Sequence, residues 1–397
     1  MMKKWVSAVM VGLVVVAWGL AGGITPAWAD KEINFGFLNA LTGPAAPWGI
    51  PQDRCLRIAA DRINEEGGIK IKGETYKWKI FSYDHKYVPG EAVKALNKAI
   101  FSDKVQFVNV LGGSCLLACM PLLKTNNILS MNSAVGGKNT TNPDNPMVFR
   151  HNPILETAYS AVWPFLQKRE GGFKTVAVLN PDDETGRDGM HAAQFVAKVA
   201  HVTIVAEEFF QRGTKDFSAV LTRVIAKKPD LIDTGYTDPT SQALILKQAR
   251  ELGYKGKIHL AWGPNPKQVL EIAGPLAEGV FLGTTVPEPQ TDLQKDLYKR
   301  FLKQYPANEW NPNYYSNYGL LFGLTKAIEK AQSLDPNKVA GALENLTWEG
   351  SFGPNSFGGM KLYGIKRQIL FPANLCEIKQ GKLIWLMAAP LAKGILD

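Results

Sequence analysis

Short apolar strands alternate with longer amphipathic segments along this chain, and the alternation runs twice. Residues 33–39 (INFGFLN) read as a strand, and 52–65 as a helix with Leu56, Ile58, Ala59, Ala60 and Ile63 close to helical spacing. Residues 77–83 (KWKIFSY) alternate like a strand, 90–101 (GEAVKALNKAIF) carry Val93, Leu96 and Ile100 on one helical stripe, and 105–111 (VQFVNVL) return to strand. After residue 150 the rhythm restarts. Strands are expected at 175–179, 202–206, 231–234, 258–261 and 279–284, with helices at 188–199, 217–227 and 240–252, the last ended by Gly253. Helices follow at 292–304, 314–331 and 337–346, and the tail 367–386 is strand-like.

Repeated β-α-β units imply parallel sheets with helices on both faces. Two such runs in succession predict an α/β chain of two doubly wound domains. Ligands of these sheets bind beyond the carboxyl ends of the strands. When two such domains face each other, the cleft between them is where a site is expected. The strand-to-helix turns are therefore the places to look for function.

Residues 1–29 stand apart. Lys3 and Lys4 make a basic start, residues 9–20 are an almost unbroken apolar run, and Ala27-Trp28-Ala29 is a small-x-small cleavage signal. That pattern is a secretory signal peptide. The apolar run is short of the ~20 residues a membrane span needs, so cleavage is favoured over an uncleaved anchor. Removing 29 of the 397 residues leaves 368, which suits two domains of ordinary size. The formal charge of +9 falls to +7 once the leader's two lysines are gone. A modest positive excess can steer an anionic ligand. The basic residues are spread along the chain, which argues against a nucleic-acid stripe. No later segment is long and apolar enough to span a bilayer.

The motifs of several enzyme classes are missing. There is no G-x-x-x-x-G-K-[ST], no G-x-G-x-x-G, no G-x-S-x-G and no H-E-x-x-H. The five histidines are scattered. Cys115 and Cys119 could hold a soft metal with Met120, but no second Cys or His pair follows at close spacing, so neither a metal nor a cofactor is expected. Export makes disulfides possible for the four cysteines at 55, 115, 119 and 376, and the sequence alone allows three full pairings. An exported two-domain α/β chain without a catalytic motif reads as a binding protein rather than an enzyme.

The order and spacing of several stretches carry a resemblance. They are LTGPAAPWG (41–49), DRINEEGGI (61–69), PGEAVKALNKAI (89–100), the glycine-led turn GGSCLLACMP (112–121) and ETGRDG (184–189). KDFSAVLTRVIAKKPDLI (215–232) and LILKQARELGY (244–254) complete the set. Over its whole length after the leader, the chain resembles the branched-chain amino acid branch of the type I periplasmic ligand-binding proteins, the solute receptors of ABC importers. The resemblance implies two Rossmann-like lobes joined by three crossings and closing on ligand like a hinged clamp. It places lobe one at 30–150 plus 286–364 and lobe two at 151–285 plus 365–397.

It also implies a site. Amino-acid members hold the ligand α-carboxylate on Ser/Gly-rich turns of lobe one, balance the α-ammonium with an acid in lobe two, and line the rest with aromatics. The matching positions here are Trp48, Leu116, Leu117, Ala134, Val135, Gly136, Thr185, Tyr236 and Asn265. Leu116 stands where a serine is usual, Gly136 where a threonine is usual, and Thr185 replaces a common tyrosine. Backbone N–H groups at the helix start could still hold an anion. Asn265 stands where the amine-binding acid is expected, and a buried ammonium without a partner costs several kcal/mol. Arg54 and Arg57 on the first helix could fork onto a carboxylate. His85 and Tyr87, in the loop after the second strand, and Trp262 and Tyr314 are further candidates. Members often bridge that loop to the 112–119 turn, but 84–87 reads DHKY here. The expected bridge is therefore Cys55 to Cys115 or Cys119, with a direct Cys115–Cys119 link as the rival.

The expectation is thus a periplasmic, monomeric solute receptor that feeds ABC permease subunits in the inner membrane. Its ligand is a small carboxylate with an apolar or aromatic body. The alternatives are a branched-chain amino acid, amide or urea in the same cleft, a periplasmic sensor module, or an exported enzyme.

Overall fold

Two separate sheets organise the chain. The computed structural model describes residues 31–134, 137–169, 171–284, 286–311, 315–370 and 372–389. The leader at 1–29 and the candidate residues Val135, Gly136 and Tyr314 lie outside the described residues. The first sheet has eight strands in the order Phe357–Gly358, Gln368–Ile369, Val148–Arg150, Leu129–Asn132, Phe107–Val110, Lys31–Asn39, Glu74–Asp84, Ile69–Ile71. The second has seven, in the order Lys382–Ala389, Ala373–Lys379, Phe281–Gly283, Lys257–Leu260, Leu231–Asp233, Thr175–Pro181, Thr203–Phe210. The central pairs of both are parallel and the outermost pairs on one or both edges antiparallel. This is the two-lobe doubly wound arrangement that the twice-run rhythm predicts.

Local chemistry aims the turns at the cleft. The helix Ala46–Glu65 opens with a proline in its first turn, whose fixed φ suits that position. A Cβ on Gly49 would strike the carbonyl of Ala40, so only glycine lets this helix press onto the end of the first strand. That close approach sets Trp48 and Gln52 over the carboxyl edge of the sheet. Gly112 has φ +92, and a Cβ there would stand 2.6 Å from the Tyr87 ring. It turns the strand Phe107–Val110 into the helix Gly113–Thr125.

The chain passes between sheets three times: after Arg150, after Gly283 and after Ile369. Gln368–Ile369, which the resemblance puts in lobe two, pairs instead with Arg150 and with Phe357–Gly358 in the first sheet. The strand-like tail is two things: that short strand, then a hairpin of Ala373–Lys379 with Lys382–Ala389. Gln380 (φ 52) and Gly381 (φ 69) make its turn, the left-handed pair that a two-residue hairpin favours. Helix 90–101 is α-helical only over Pro89–Asn97 and ends in a π turn, Lys98–Ser102. The helix Leu155–Lys168 has no counterpart in the sequence reading. Its buried Leu155, Ala158, Tyr159, Val162 and Leu166 keep helical spacing, but Pro164 interrupts the pattern.

One buried apolar cluster runs from the first sheet through Trp48, Tyr87, Tyr236 and Trp262 into the helices Leu155–Lys168 and Glu184–Ala200 of lobe two. The two lobes are therefore packed together at the carboxyl edges of their sheets.

Candidate ligand-binding site

Hydrogen bonds cross directly from lobe to lobe. Trp48 Nε1–H donates to Gly263 O at 2.9 Å. Thr185 Oγ1 accepts the Ser114 N–H at 3.2 Å and lies 3.3 Å from the Tyr87 hydroxyl. Asp188 Oδ2 accepts the Gly137 N–H at 2.8 Å, and Asn139 Nδ2 donates to Glu184 Oε1 at 2.7 Å. These contacts define a closed clamp.

The closed lobes enclose a cavity at the strand ends. Its aromatic walls are Trp48 and Tyr87 from lobe one, Tyr236 and Trp262 from lobe two, and Phe352. Trp48 and Tyr87 meet at 6.1 Å between centroids, and Tyr236 and Trp262 meet edge to face at 5.1 Å. Tyr236 is fixed at both ends: its N–H donates to Asn180 Oδ1, and its hydroxyl accepts the Leu155 N–H at 2.7 Å. Gly235 makes this possible, since a Cβ there would collide with the Asn180 amide.

Polar groups face the same space. Gln52 and Ser133 come from lobe one, and Thr157, Thr284, Asn152 and Asn374 from the crossings and lobe two. No charged side chain lines the cavity among the described residues. Charges stand one layer back. Arg212 lies over the outer face of Tyr87 at 4.2 Å and pairs with Asp183 at 2.5 Å. Arg150, Glu156 and Asp188 gather behind Tyr236, where burial pushes the Asp188 carboxyl up to about 6 against the pull of the Gly137 N–H and of Arg150.

Of the residues singled out from sequence, the structure brings Trp48, Thr185, Tyr236 and Trp262 together around the cavity, with Tyr87 beside them. The others fall elsewhere. Leu116 is wholly buried in lobe one, and its N–H already bonds Gly112 O at 2.9 Å, so it offers a ligand nothing. Leu117 lies half-buried on the same helix, and Ala134 is fully buried behind the wall. Asn265 caps the helix Pro266–Ala273 by accepting the Gln268 N–H, on an outer groove shared with Arg54 and Glu309. Arg54 pairs with Glu309, and Arg57 with Asp53 and Ser82, both outside the cavity. His85 sits behind Tyr87, its Nδ1 accepting the Tyr87 N–H, and burial pushes its imidazole down to about 4.

The expected disulfide does not form: no bridge joins the four buried cysteines. The Cys55 thiol turns back onto Gln52 O at 3.2 Å, and the Cys115 thiol faces His85 Nδ1 at 3.9 Å. Cys115 and Cys119 lie one turn apart on one helix, where Cβ atoms stand about 5–6 Å apart, wider than the ~3.8 Å of a bridge. Burial keeps the thiols protonated, pushing Cys119 and Cys376 up to about 12.

The model of the periplasmic binding protein family matches residues 32–370. The chain belongs to that family. It is 25% identical over 354 residues to the leucine-, isoleucine-, valine-, threonine- and alanine-binding protein of Pseudomonas aeruginosa, covering 87% of this chain and 91% of that protein. The fold is similar to a leucine-binding protein of Thermotoga maritima (TM-score 0.76, 22% identity, 90% of this chain and 99% of that one). It is also similar to an ABC-transporter solute-binding protein of R. palustris in complex with benzoate (TM-score 0.78, 16% identity, 92% of this chain and 99% of that one).

Within this periplasmic binding protein, Gln52, Ser133, Thr157 and Phe352 are cavity residues that sequence reasoning missed. Gln52 had a detectable signal, since it sits one helical turn after Trp48 and shares its face. The others reach the cavity only through long-range packing.

Proposed function

We propose that this periplasmic binding protein is the solute receptor of an ABC importer and closes on a small carboxylate with an aromatic or apolar body. The observation that carries the reading is the cavity wall: five aromatic rings, neutral hydrogen-bonding groups, and no acid among the described residues. A free amino acid brings an ammonium that needs a carboxylate partner, and a buried ammonium without one is costly. The half-buried acids Glu156 and Asp188 act on Tyr236 from outside the cavity wall, and Asp188 accepts the Gly137 N–H. A carboxylate is less demanding, because neutral N–H and O–H donors satisfy it. Aromatic faces from both lobes would sandwich a flat body as the clamp shuts. The leader at 1–29 fits export to the periplasm, where a monomer in this closed form would dock on the permease subunits.

A thermal-shift screen of the protein without its leader tests this. The panel holds aromatic acids, aliphatic acids, their amides and free amino acids. A ligand at 100 times its Kd adds about 2.7 kcal/mol of stability. The largest shifts are expected from aromatic acids; shifts from free amino acids alone overturn the proposal.

A further inference from the structure

The amide of Asn317 reaches two residues of the cavity wall at once. It comes from the helix Tyr315–Ala331, far along the chain from either partner. Its Nδ2 donates to Gln52 Oε1 at 2.9 Å and to Ser133 Oγ at 2.5 Å. Ser133 Oγ accepts a second amide, Asn109 Nδ2, at 2.9 Å. The orientation of Asn109 is set by the main chain, because its Oδ1 accepts the Ser133 N–H at 3.0 Å. All of these groups are buried.

The hydrogen-bond inventory then fixes a polarity. A serine hydroxyl has two lone pairs and one proton. Two amide donors take up both lone pairs of Ser133, so its proton must point away from them. A glutamine has one carbonyl oxygen and an NH2 group with two protons. Asn317 holds the carbonyl end of Gln52, which leaves the NH2 end facing outward. Both residues line the cavity. Lobe one therefore presents two donors, an O–H and an N–H, on adjoining walls. Two hydroxyls across the cavity differ. The protons of Thr157 and Thr284 already go to Ile154 O at 2.8 Å and Gly283 O at 2.8 Å, and Thr284 Oγ1 accepts the Gly263 N–H at 2.7 Å, so neither hydroxyl is a donor to the cavity.

We infer that Gln52 and Ser133 form the carboxylate subsite of the cavity, with Asn317 as the positioning residue that turns their donors toward the ligand. The inference rests on the solute-receptor reading above and adds where, and by what groups, the acid end is held. Two neutral donors at one end of an aromatic-walled space match the two oxygens of a carboxylate. They mismatch a primary amide, whose NH2 would meet N–H and O–H protons head on. Buried polar sites reject such a mismatch strongly because the unmet groups stay unpaired.

Matched pairs of acid and amide test it: benzoate with benzamide, and 4-hydroxybenzoate with 4-hydroxybenzamide, titrated calorimetrically. The wild-type protein is expected to prefer each acid at least tenfold. Ser133→Ala should weaken the acid about tenfold and leave the amide nearly unchanged. Gln52→Glu keeps the bond from Asn317 and puts a carboxylate oxygen on the cavity wall, so the preference should reverse in favour of the amide. Asn317→Ala should shrink the acid-over-amide ratio, a change that a loss of folding alone would not produce. Equal affinities for acid and amide in the wild type, or an unchanged ratio in Gln52→Glu, overturn the inference while leaving the receptor reading intact. If no member of the panel binds, the receptor reading's ligand class fails, and crystals soaked in sodium bromide decide the subsite separately. An anomalous peak bridging Gln52 Nε2 and Ser133 Oγ supports it; bromide only at other places overturns it.

Discussion

Thr185 Oγ1 accepts the backbone N–H of Ser114 at 3.2 Å, so a hydroxyl of lobe two occupies the start of a helix in lobe one. The helix Gly113–Thr125 has no side-chain cap of its own. Its first N–H groups are orphan donors that need a partner. In the closed clamp one of them finds it across the cleft, and the same oxygen lies 3.3 Å from the Tyr87 hydroxyl. The glycine-led turn is therefore a docking point for the opposite lobe. Thr185→Val keeps the shape and removes the oxygen. A net hydrogen bond is worth about 0.5–1.5 kcal/mol, so binding of a cavity ligand should weaken roughly two- to tenfold. Small-angle scattering of the ligand-free protein should show a larger radius of gyration. An unchanged radius and affinity would remove Thr185 from the closing machinery.

Closure should also respond to pH through Asp188. In the closed form burial holds its carboxyl up at about 6, from an ordinary 3.8, against the lowering pull of the Gly137 N–H, Arg150 and His191. Glu184 on the same helix adds to the rise. A carboxyl raised on closing makes closure take up a proton. The contribution is fully present below about 3.8 and is lost as pH rises through about 6. Between pH 7 and pH 5 the closed-to-open ratio should climb about tenfold. Asp188→Asn should flatten that dependence while still accepting the Gly137 N–H. The measurement is affinity for a bound acid, or scattering radius, against pH in both proteins. A slope that survives Asp188→Asn assigns the effect to another group.

Trp48 does two jobs that separate by substitution. Its ring is 6% exposed and forms a cavity wall, while its Nε1–H reaches Gly263 O across the cleft. Trp48→Phe retains most of the wall and loses only the strap, so the fold should hold and affinity fall several-fold. Trp48→Ala also opens a void; large-to-alanine changes at buried aromatics cost about 3–5 kcal/mol, which lowers the melting temperature by several degrees. Equal effects of the two variants on affinity would mean that the ring does not touch the ligand.

The twice-run alternation was legible because each strand and helix shows its own apolar period within a few residues, as in 33–39 and 217–227. Two kinds of feature were not. Leu155–Lys168 carries an internal proline that breaks the pattern without breaking the helix, because tertiary packing of Tyr159 and Trp163 holds it. The site residues Gln52 and Ser133 acquire their roles from partners 265 and 184 residues away, and no local spacing encodes that. Trp48 and Tyr236 were reached through the family resemblance; the structure sets Trp48 in the first turn of the helix Ala46–Glu65 and Tyr236 just after the strand Leu231–Asp233. Leu116 lies two residues too far along: its N–H closes the first intrahelical bond, and the N–H that reaches across the cleft is that of Ser114.

The four thiols give a prediction opposite to that of a disulfide-stapled chain. Each is buried, with Cys55, Cys115 and Cys119 in lobe one and Cys376 in lobe two. A thiol must be ionised and reachable to react, and burial pushes all four up, Cys119 and Cys376 to about 12. The native protein should therefore leave an aromatic disulfide reagent almost uncoloured, and the unfolded chain should release four equivalents, one for each cysteine. Treatment with a reductant should leave the melting temperature where it was, because no bridge restrains the unfolded chain. If a pair were bridged, the unfolded chain would release only two equivalents, and reduction would cost about 2–5 kcal/mol of stability. The count after unfolding separates these outcomes without any structural assumption.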